Sequence, residues 1–98
     1  MNYLKAERFE SEAWRRAVAL LPCQNCGREG LTQCAHRNQG KAMARKVDDC
    51  LTAALCIDCH REIDQGKRET RDERRARMDD LILKTLVELA RRGWVIAA

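Results

Sequence analysis

Two short cysteine motifs constrain this chain more than any other feature of its sequence. Cys23 and Cys26 form one C-x-x-C pair, Cys56 and Cys59 form a second, and 29 residues separate the two pairs. Two intervening residues allow both sulfurs of a pair to turn towards one ion, and four thiolates complete the tetrahedral shell that Zn²⁺ prefers. The spacing therefore predicts a zinc site that joins distant parts of the chain.

Composition explains why such a site would matter for folding. The length of 98 residues predicts one domain, residues 1–98, and the aromatic residues are only two Trp, one Tyr and one Phe. Such a core is thin, and small domains often need a metal or disulfides as an additional tie. The net charge of +4 is a weak indication of a polyanionic partner.

The six cysteines also allow a disulfide framework. That alternative requires an exported protein. Residues 1–10 are polar and charged, without the apolar segment of a signal peptide, and no apolar run approaches membrane-spanning length. We therefore expect a cytoplasmic protein without membrane association, and we favour metal binding over disulfides. Cys34 and Cys50 lie outside the two motifs and are expected to be buried as small apolar residues.

The pattern of apolar and turn-forming residues predicts an α+β fold. The first expected element is a helix over residues 11–21, with Trp14 as a core anchor. It is followed by a small β-hairpin within residues 23–35, closed at one end by metal, and by a basic loop over 36–50. A strand or tight turn over 51–55 then leads into a helix over 57–65 with Gly66 as its C-cap.

A long amphipathic helix over residues 70–92 is the clearest element. Thr70 and Glu73 have the spacing of a capping box, and Gly93 ends the pattern. On so small a body this helix is also a candidate homodimer interface. Its apolar stripe is predicted to contain Met78, Leu81, Ile82, Leu86, Leu89 and Ala90, and the segment Trp94-Val95-Ile96 is expected to fold back onto the body.

Both histidines of the chain lie beside the cysteine framework, at His36 and His60. His60 and Asp64 are four residues apart, so on a helix they share a face and offer two ligands to a divalent ion. His36 comes at the end of the predicted second strand of the hairpin, where a base could face that ion. A surface or core role explains each histidine equally well, and Asp64 could equally be a helix-end carboxylate.

Basic residues follow His36 without an acid before Asp48, which favours contact with phosphates. By contrast, the arginines between residues 68 and 77 are interleaved with acids and are expected to form a solvated helix face with i,i+4 pairs. The predicted phosphate-binding residues are Arg37, Lys41, Arg45 and Lys46.

The order of these motifs resembles the HNH endonucleases, the ββα-metal or His-Me finger group. The resemblance runs over about residues 20–68: C-x-x-C, then Ala35-His36 at a strand end, a loop with Gly and Lys, an Asp, and finally Leu-Cys-x-x-Cys-His-x-x-Ile-Asp. In its compactness the chain is most similar to small prophage-encoded nucleases of the YbcO-like kind. The resemblance implies a zinc-stapled ββα-metal finger that acts as a metal-dependent DNA endonuclease in phage recombination or DNA processing.

The resemblance also implies roles for individual residues. The four motif cysteines would bind a structural zinc ion, His36 would be the general base, and His60 with Asp64 would bind a catalytic Mg²⁺ or Mn²⁺. Asp49 falls near the slot of the middle asparagine, as a metal ligand or a loop-orienting residue.

The chain departs from the family pattern at one position. Many relatives carry a metal-binding residue immediately before the base, where this chain has Ala35. Cys34 and Asp49 are the candidates to replace that ligand.

Three other readings use the same residues. The first is a zinc-stapled nucleic-acid-binding or adaptor module without catalysis. The second is a c-type cytochrome, because C-x-x-C-H at residues 56–60 matches the haem-attachment pattern, but it requires export and gives the first cysteine pair no role. The third is a redox C-x-x-C protein, for which the βαβ context is missing.

Overall fold

The computed structural model describes residues 8–37 and 47–95 and has the expected α+β architecture. An N-terminal helix, a two-stranded antiparallel sheet, a short helix and a long C-terminal helix follow one another along the chain. The elements are α1 (Glu12–Ala19), β1 (Thr32–His36), β2 (Thr52–Cys56), α2 (Ile57–Gln65) and α3 (Arg71–Arg91).

The pairing of the two strands corrects the predicted hairpin within residues 23–35. β1 pairs with β2, from Thr32 opposite Cys56 to His36 opposite Thr52, so His36 ends the first strand and not the second. The segment before β1 forms turns: the Cys23 N–H donates to the Arg28 carbonyl at 2.8 Å. These local hydrogen bonds occupy backbone groups that a partner strand would need.

Both faces of β2 are buried, because the sheet lies between the helices. On one face, Ala53 and Leu55 pack with Ile63 of α2 and Leu81 of α3. On the other face, Ala54 packs in a second cluster with side chains of α1 and α3. A short apolar run that reads as continuous, without alternation, is typical of a strand covered on both sides.

The outer edge of β2 is closed by two hydrogen bonds. The Ala54 N–H donates to Thr85 Oγ1 of α3 at 3.0 Å, and the Ala54 carbonyl accepts from the Gln24 N–H at 2.8 Å. The Thr85 hydroxyl in turn donates to the Leu81 carbonyl at 2.8 Å. The edge of β2 therefore has no unpaired backbone group at Ala54. The same two hydrogen bonds connect the first cysteine motif and α3 to β2.

The helix ends largely follow the predicted capping signals. Both hydrogen bonds of the capping box between Thr70 and Glu73 form at the start of α3, and Gly93 follows its end with a φ of 73°. Gly66 ends α2 as predicted, but its φ of −63° is ordinary. Its glycine character is required for space, because a Cβ there would lie 2.3 Å from the Glu62 carbonyl oxygen.

The buried face of α3 differs from the predicted stripe at two positions. Leu86 is 43% exposed and Ala90 is also exposed, while Thr85 is buried and bonds the sheet edge. Leu86 instead shares an outer apolar surface of α3 with Leu83 and Val87. The predicted homodimer through this helix would use that surface and stays a prediction.

The segment after α3 folds back only in part. Val95 packs against the second cluster, Trp94 is 44% exposed, and Ile96 lies outside the described residues. Trp14 is half-buried against the second cluster and meets Phe9 edge to face, with ring centroids 5.8 Å apart. Within the described residues, no helix is long and apolar enough to cross a membrane.

Candidate metal centre and histidine sites

The four cysteines of the two motifs converge on one point. Their sulfur atoms all lie within 4.8 Å of one another, and the Sγ atoms of Cys26 and Cys56 are 3.8 Å apart. A tetrahedral zinc ion with Zn–S bonds of about 2.3 Å requires sulfurs about 3.8 Å apart. Among the described residues this is the one group of three or more candidate ligands, and it confirms the predicted cysteine cluster.

Backbone geometry prepares the sulfurs to act as thiolates. The Cys26 N–H points at the Cys23 sulfur, and the Cys59 N–H points at the Cys56 sulfur, each at 3.5 Å. The Asn25 side-chain amide donates to the Cys59 sulfur at 3.3 Å. Because the Cys56 thiol is also the N-cap of α2, the second motif is at once the end of β2, the start of a helix and half of the metal centre.

Cys23 and Cys59 ionise unequally when no cation compensates their thiolates. Burial opposes ionisation of Cys23, but hydrogen bonds from the backbone of Cys56, Cys26 and Asn25 lower its pKa to about 6. Burial raises the pKa of Cys59 to about 12, and the neighbouring sulfurs add to this effect. A divalent cation removes the conflict by stabilising all four thiolates together, so the donor set fits Zn²⁺.

The metal centre is part of the core. Cys23 and Cys56 are 2% and 1% exposed and belong to the same cluster as Leu55 and Ile63. A zinc ion held there would connect the turn before β1 to the junction of β2 and α2. Its role would be structural, because four protein sulfurs leave no coordination position open for water.

His36 forms a close pair with a buried carboxylate. Its Nε2 lies 2.8 Å from Asp49 Oδ1, and Asp49 is 1% exposed. The other oxygen of Asp49 accepts from the Ser11 N–H at 2.8 Å and from the Arg15 guanidinium, while Arg8 donates to Oδ1 at 3.2 Å. Asp49 therefore joins the end of β1 to the start of α1.

The surroundings of Asp49 hold it in the charged form. Burial opposes its ionisation, but hydrogen bonds from His36, the Ser11 backbone and Arg15 outweigh burial and keep the pKa of this carboxyl well below its usual range. An ionised Asp49 can only accept a hydrogen bond, so it receives one from the His36 Nε2–H and the lone pair of the neutral ring resides on Nδ1.

His60 and Asp64 share one face of α2, as their spacing predicts. His60 Nε2 lies 3.3 Å from Asp64 Oδ2, and its Nδ1 lies 2.9 Å from Gln33 Oε1 on β1. With Gln33 accepting from Nδ1–H, the neutral ring directs its Nε2 lone pair at a carboxylate oxygen. Two acceptors at this distance repel each other unless a proton or a cation lies between them.

The two histidines lie on opposite faces of β1. Because strand residues alternate, Gln33, the partner of His60, faces α2 and α3 together with Ala35, whereas His36 faces α1 together with Cys34. Gln33 and His36 are also three residues apart, about 10 Å along a strand. The structure thus contains two histidine–aspartate pairs, His36–Asp49 and His60–Asp64, which lie apart on opposite faces of β1.

The candidates for the ligand missing at Ala35 have other contacts. Ala35 is completely buried, and half-buried Cys34 packs against the second cluster, where burial raises its pKa. Asp49 contacts His36 and the start of α1. Cys50, also expected to be buried, is half-buried.

Of the predicted phosphate-binding residues, the structure describes Arg37. Its guanidinium binds Asp79 of α3 through two hydrogen bonds of 2.7 and 3.1 Å, which raise its pKa. Lys41, Arg45 and Lys46 lie outside the described residues.

Sequence reasoning missed the arginines at the start of α3. Arg71, Arg74 and Arg75, whose sequence pattern predicts a solvated face, line a cleft between α2 and α3 together with Arg37 and Asp64. The i, i+3, i+4 spacing of these arginines on one helix face was the available signal.

In three comparisons with known proteins, no family model, no curated protein and no solved structure matches this chain.

Proposed function

We propose that this chain is a metal-dependent DNA endonuclease of the HNH type, with His36 as the general base. The observation that supports this most directly is the pairing of His36 with the buried carboxylate of Asp49 at the end of β1. A half-exposed imidazole held by a buried, ionised carboxylate has a fixed tautomer and stabilised charge after it accepts a proton.

His36 would take a proton from the attacking water through Nδ1. Asp49 fixes this tautomer because it accepts a hydrogen bond from Nε2–H, and it stabilises the imidazolium that results. Arg15 and the Ser11 N–H hold the carboxylate in place from the other side. Asp49 is one candidate to replace the ligand missing at Ala35. In this mechanism it instead orients the base and does not bind metal.

His60 and Asp64 would hold the catalytic ion, Mg²⁺ or Mn²⁺. A cation at this pair would bind the Nε2 lone pair and Asp64 Oδ2 together, and Gln33, by accepting from Nδ1–H, would hold the ring in the ligating tautomer. Such an ion, when bound, polarises a phosphoryl oxygen and stabilises the leaving group. The Asp64 carboxyl lines a cleft together with Arg37, the residue after His36.

Nicking of supercoiled plasmid tests the proposal. Zinc-loaded protein with added Mg²⁺ or Mn²⁺ is expected to relax the plasmid, and His36→Ala is expected to slow this by roughly 10²–10⁴-fold, the usual contribution of a general base. His60→Ala should shift activity to higher metal concentration. Arg92→Gln, at the exposed C-cap of α3 where Arg92 pairs with Glu88, is the control. Nicking by His36→Ala at the wild-type rate, with zinc content and melting temperature unchanged, would refute the assignment of the base.

A second function, a zinc-stapled nucleic-acid-binding module without catalysis, is favoured by a different observation. The two histidine rings lie on opposite faces of β1, and the buried Ala35 supplies no ligand next to the base. This alternative predicts a gel shift with DNA but no nicking with any divalent metal.

A further inference from the structure

The cleft between α2 and α3 has the properties of a ligand site, and the proposed chemistry uses only its Asp64. Its volume is about 260 Å³, and buried Ile63 and Met78 form an apolar floor with only 6% and 5% of their surface exposed. Its polar walls are Arg37, Asp64, Arg71, Arg74 and Arg75.

The four arginines of the cleft are not equivalent. The Arg37 guanidinium binds Asp79, and Arg74 donates to the carbonyls of Gly66 at 2.6 Å and Glu69 at 2.9 Å, so both are fixed by the protein itself. Within residues 8–37 and 47–95, no hydrogen bond or ion pair occupies the guanidinium groups of Arg71 and Arg75. These two lie four residues apart, one above the other on α3, with their donors available to a ligand.

The charge of the cleft selects an anion. Even counting Asp79, two carboxylates oppose four guanidinium groups, and guanidinium groups bind phosphate in a bidentate manner. The apolar floor adds a requirement that inorganic phosphate does not meet. A nucleotide meets both, because its phosphate is anionic while its base presents an apolar face that can stack on a guanidinium plane.

We propose that this cleft binds an unpaired nucleotide of a nucleic-acid strand, with its phosphates on Arg71 and Arg75 and its base over Ile63 and Met78. A duplex keeps its bases stacked and presents mainly phosphates, so it cannot fill a concave pocket without extruding a nucleotide. The proposal rests on the proposed function for its substrate class: because Asp64 lines the same cleft, the preferred substrate would carry a single-stranded flap, end or junction next to the cleavage site.

Fluorescence anisotropy tests the inference with zinc-loaded protein and no added Mg²⁺ or Mn²⁺. The probes are a labelled single-stranded oligonucleotide and a hairpin duplex of the same sequence. Arg71→Gln/Arg75→Gln is compared with Arg91→Gln/Arg92→Gln, which removes the same charge from exposed sites at the other end of α3.

The Arg71→Gln/Arg75→Gln variant is expected to bind the single strand roughly tenfold more weakly, as the loss of charge-assisted contacts predicts. Its salt dependence should become shallower by about 1.4, or about 0.7 for each lost phosphate contact. Equal losses in both double variants, a larger loss on the duplex, or equally strong competition by an acidic peptide of matched charge would overturn the inference. If the double variant melts early, the single variants Arg71→Gln and Arg75→Gln give the same comparison.

The nicking assay separates this inference from the proposed function. Loss of single-strand binding in the cleft variant, with no cutting by any form of the protein, would support the inference and refute the nuclease. Wild-type cutting on flapped DNA with an unaffected cleft variant would refute the inference and leave the nuclease standing.

Discussion

Replacing Asp49 with asparagine tests whether one buried carboxylate both stabilises the fold and sets the state of His36. Each oxygen of Asp49 faces donors: His36 and Arg8 on one side, the Ser11 N–H and Arg15 on the other. An asparagine keeps the shape but offers one acceptor and one donor group. If the asparagine oxygen continues to accept from Ser11 and Arg15, its NH₂ group faces His36. His36 can then form a hydrogen bond with this group only by accepting it at Nε2.

The expected cost in stability is moderate. Side chains of Arg15 and Arg8 are 41% and 20% exposed, so water compensates much of what they lose. The loss that water does not compensate is the charge-assisted bond at a site that is 1% exposed. We expect Asp49→Asn to lower the free energy of unfolding by about 1–3 kcal/mol, and each kcal/mol lowers the melting temperature by roughly 4–8 °C in a domain of this size.

The expected cost in activity is much larger. Once His36 accepts through Nε2, its proton moves to Nδ1, where the proposed mechanism needs a lone pair. In serine proteases, a carboxylate-to-amide change beside the catalytic histidine slows the reaction by about 10⁴-fold through this change of tautomer. Plasmid nicking by Asp49→Asn should therefore fall far more than its stability accounts for.

Thermal unfolding followed by circular dichroism, with zinc saturating, measures the stability effect. Because the pKa of Asp49 is lowered in the folded protein, its contribution is complete above the ordinary carboxyl pKa of about 3.9 and is lost as the pH falls through the folded value. The difference between wild type and variant should thus persist from pH 7 to about 4 and shrink only below that. Asp80→Asn, at an exposed pair with Lys84, is the control. A variant as stable as wild type at pH 7, or a difference that vanishes by about pH 6, would refute the reasoning.

Three further predictions follow from the rest of the fold. Chelation of zinc, or Cys56→Ser, should abolish the cooperative transition, since structural zinc contributes about 10–16 kcal/mol in small zinc domains; unchanged far-UV circular dichroism without metal would contradict this. Gly66→Ala should cost about 1–3 kcal/mol in urea unfolding, because its Cβ would lie 2.3 Å from the Glu62 carbonyl oxygen; wild-type stability would show that α2 ends differently. If α3 pairs two copies of the chain, sedimentation at high micromolar concentration should show a dimer for the wild type and a monomer for Leu83→Asp, because Leu83 is 61% exposed on the outer surface of α3. A monomeric wild type would contradict this prediction.

Several elements of this protein follow from the sequence alone because their signals are local. The two C-x-x-C motifs determine the cysteine cluster, since two intervening residues place both sulfurs of a pair on one turn. The capping box at Thr70 and Glu73 and the helical periodicity after it define α3 nearly to the residue. The spacing of His60 and Asp64 likewise fixes their common face, whatever surrounds α2.

Only the tertiary structure decides what these elements meet. β1 pairs with β2 across the basic loop, His36 finds Asp49, and β1 separates the two histidines into different surroundings. The sequence pattern of the arginines at the start of α3 predicts a solvated helix face. These arginines form the wall of a cleft only because α2 packs beside them. Local spacing fixes which side chains share a turn or a helix face. Contacts between residues distant in sequence depend on how the helices cover the sheet, and no short stretch of sequence contains that information.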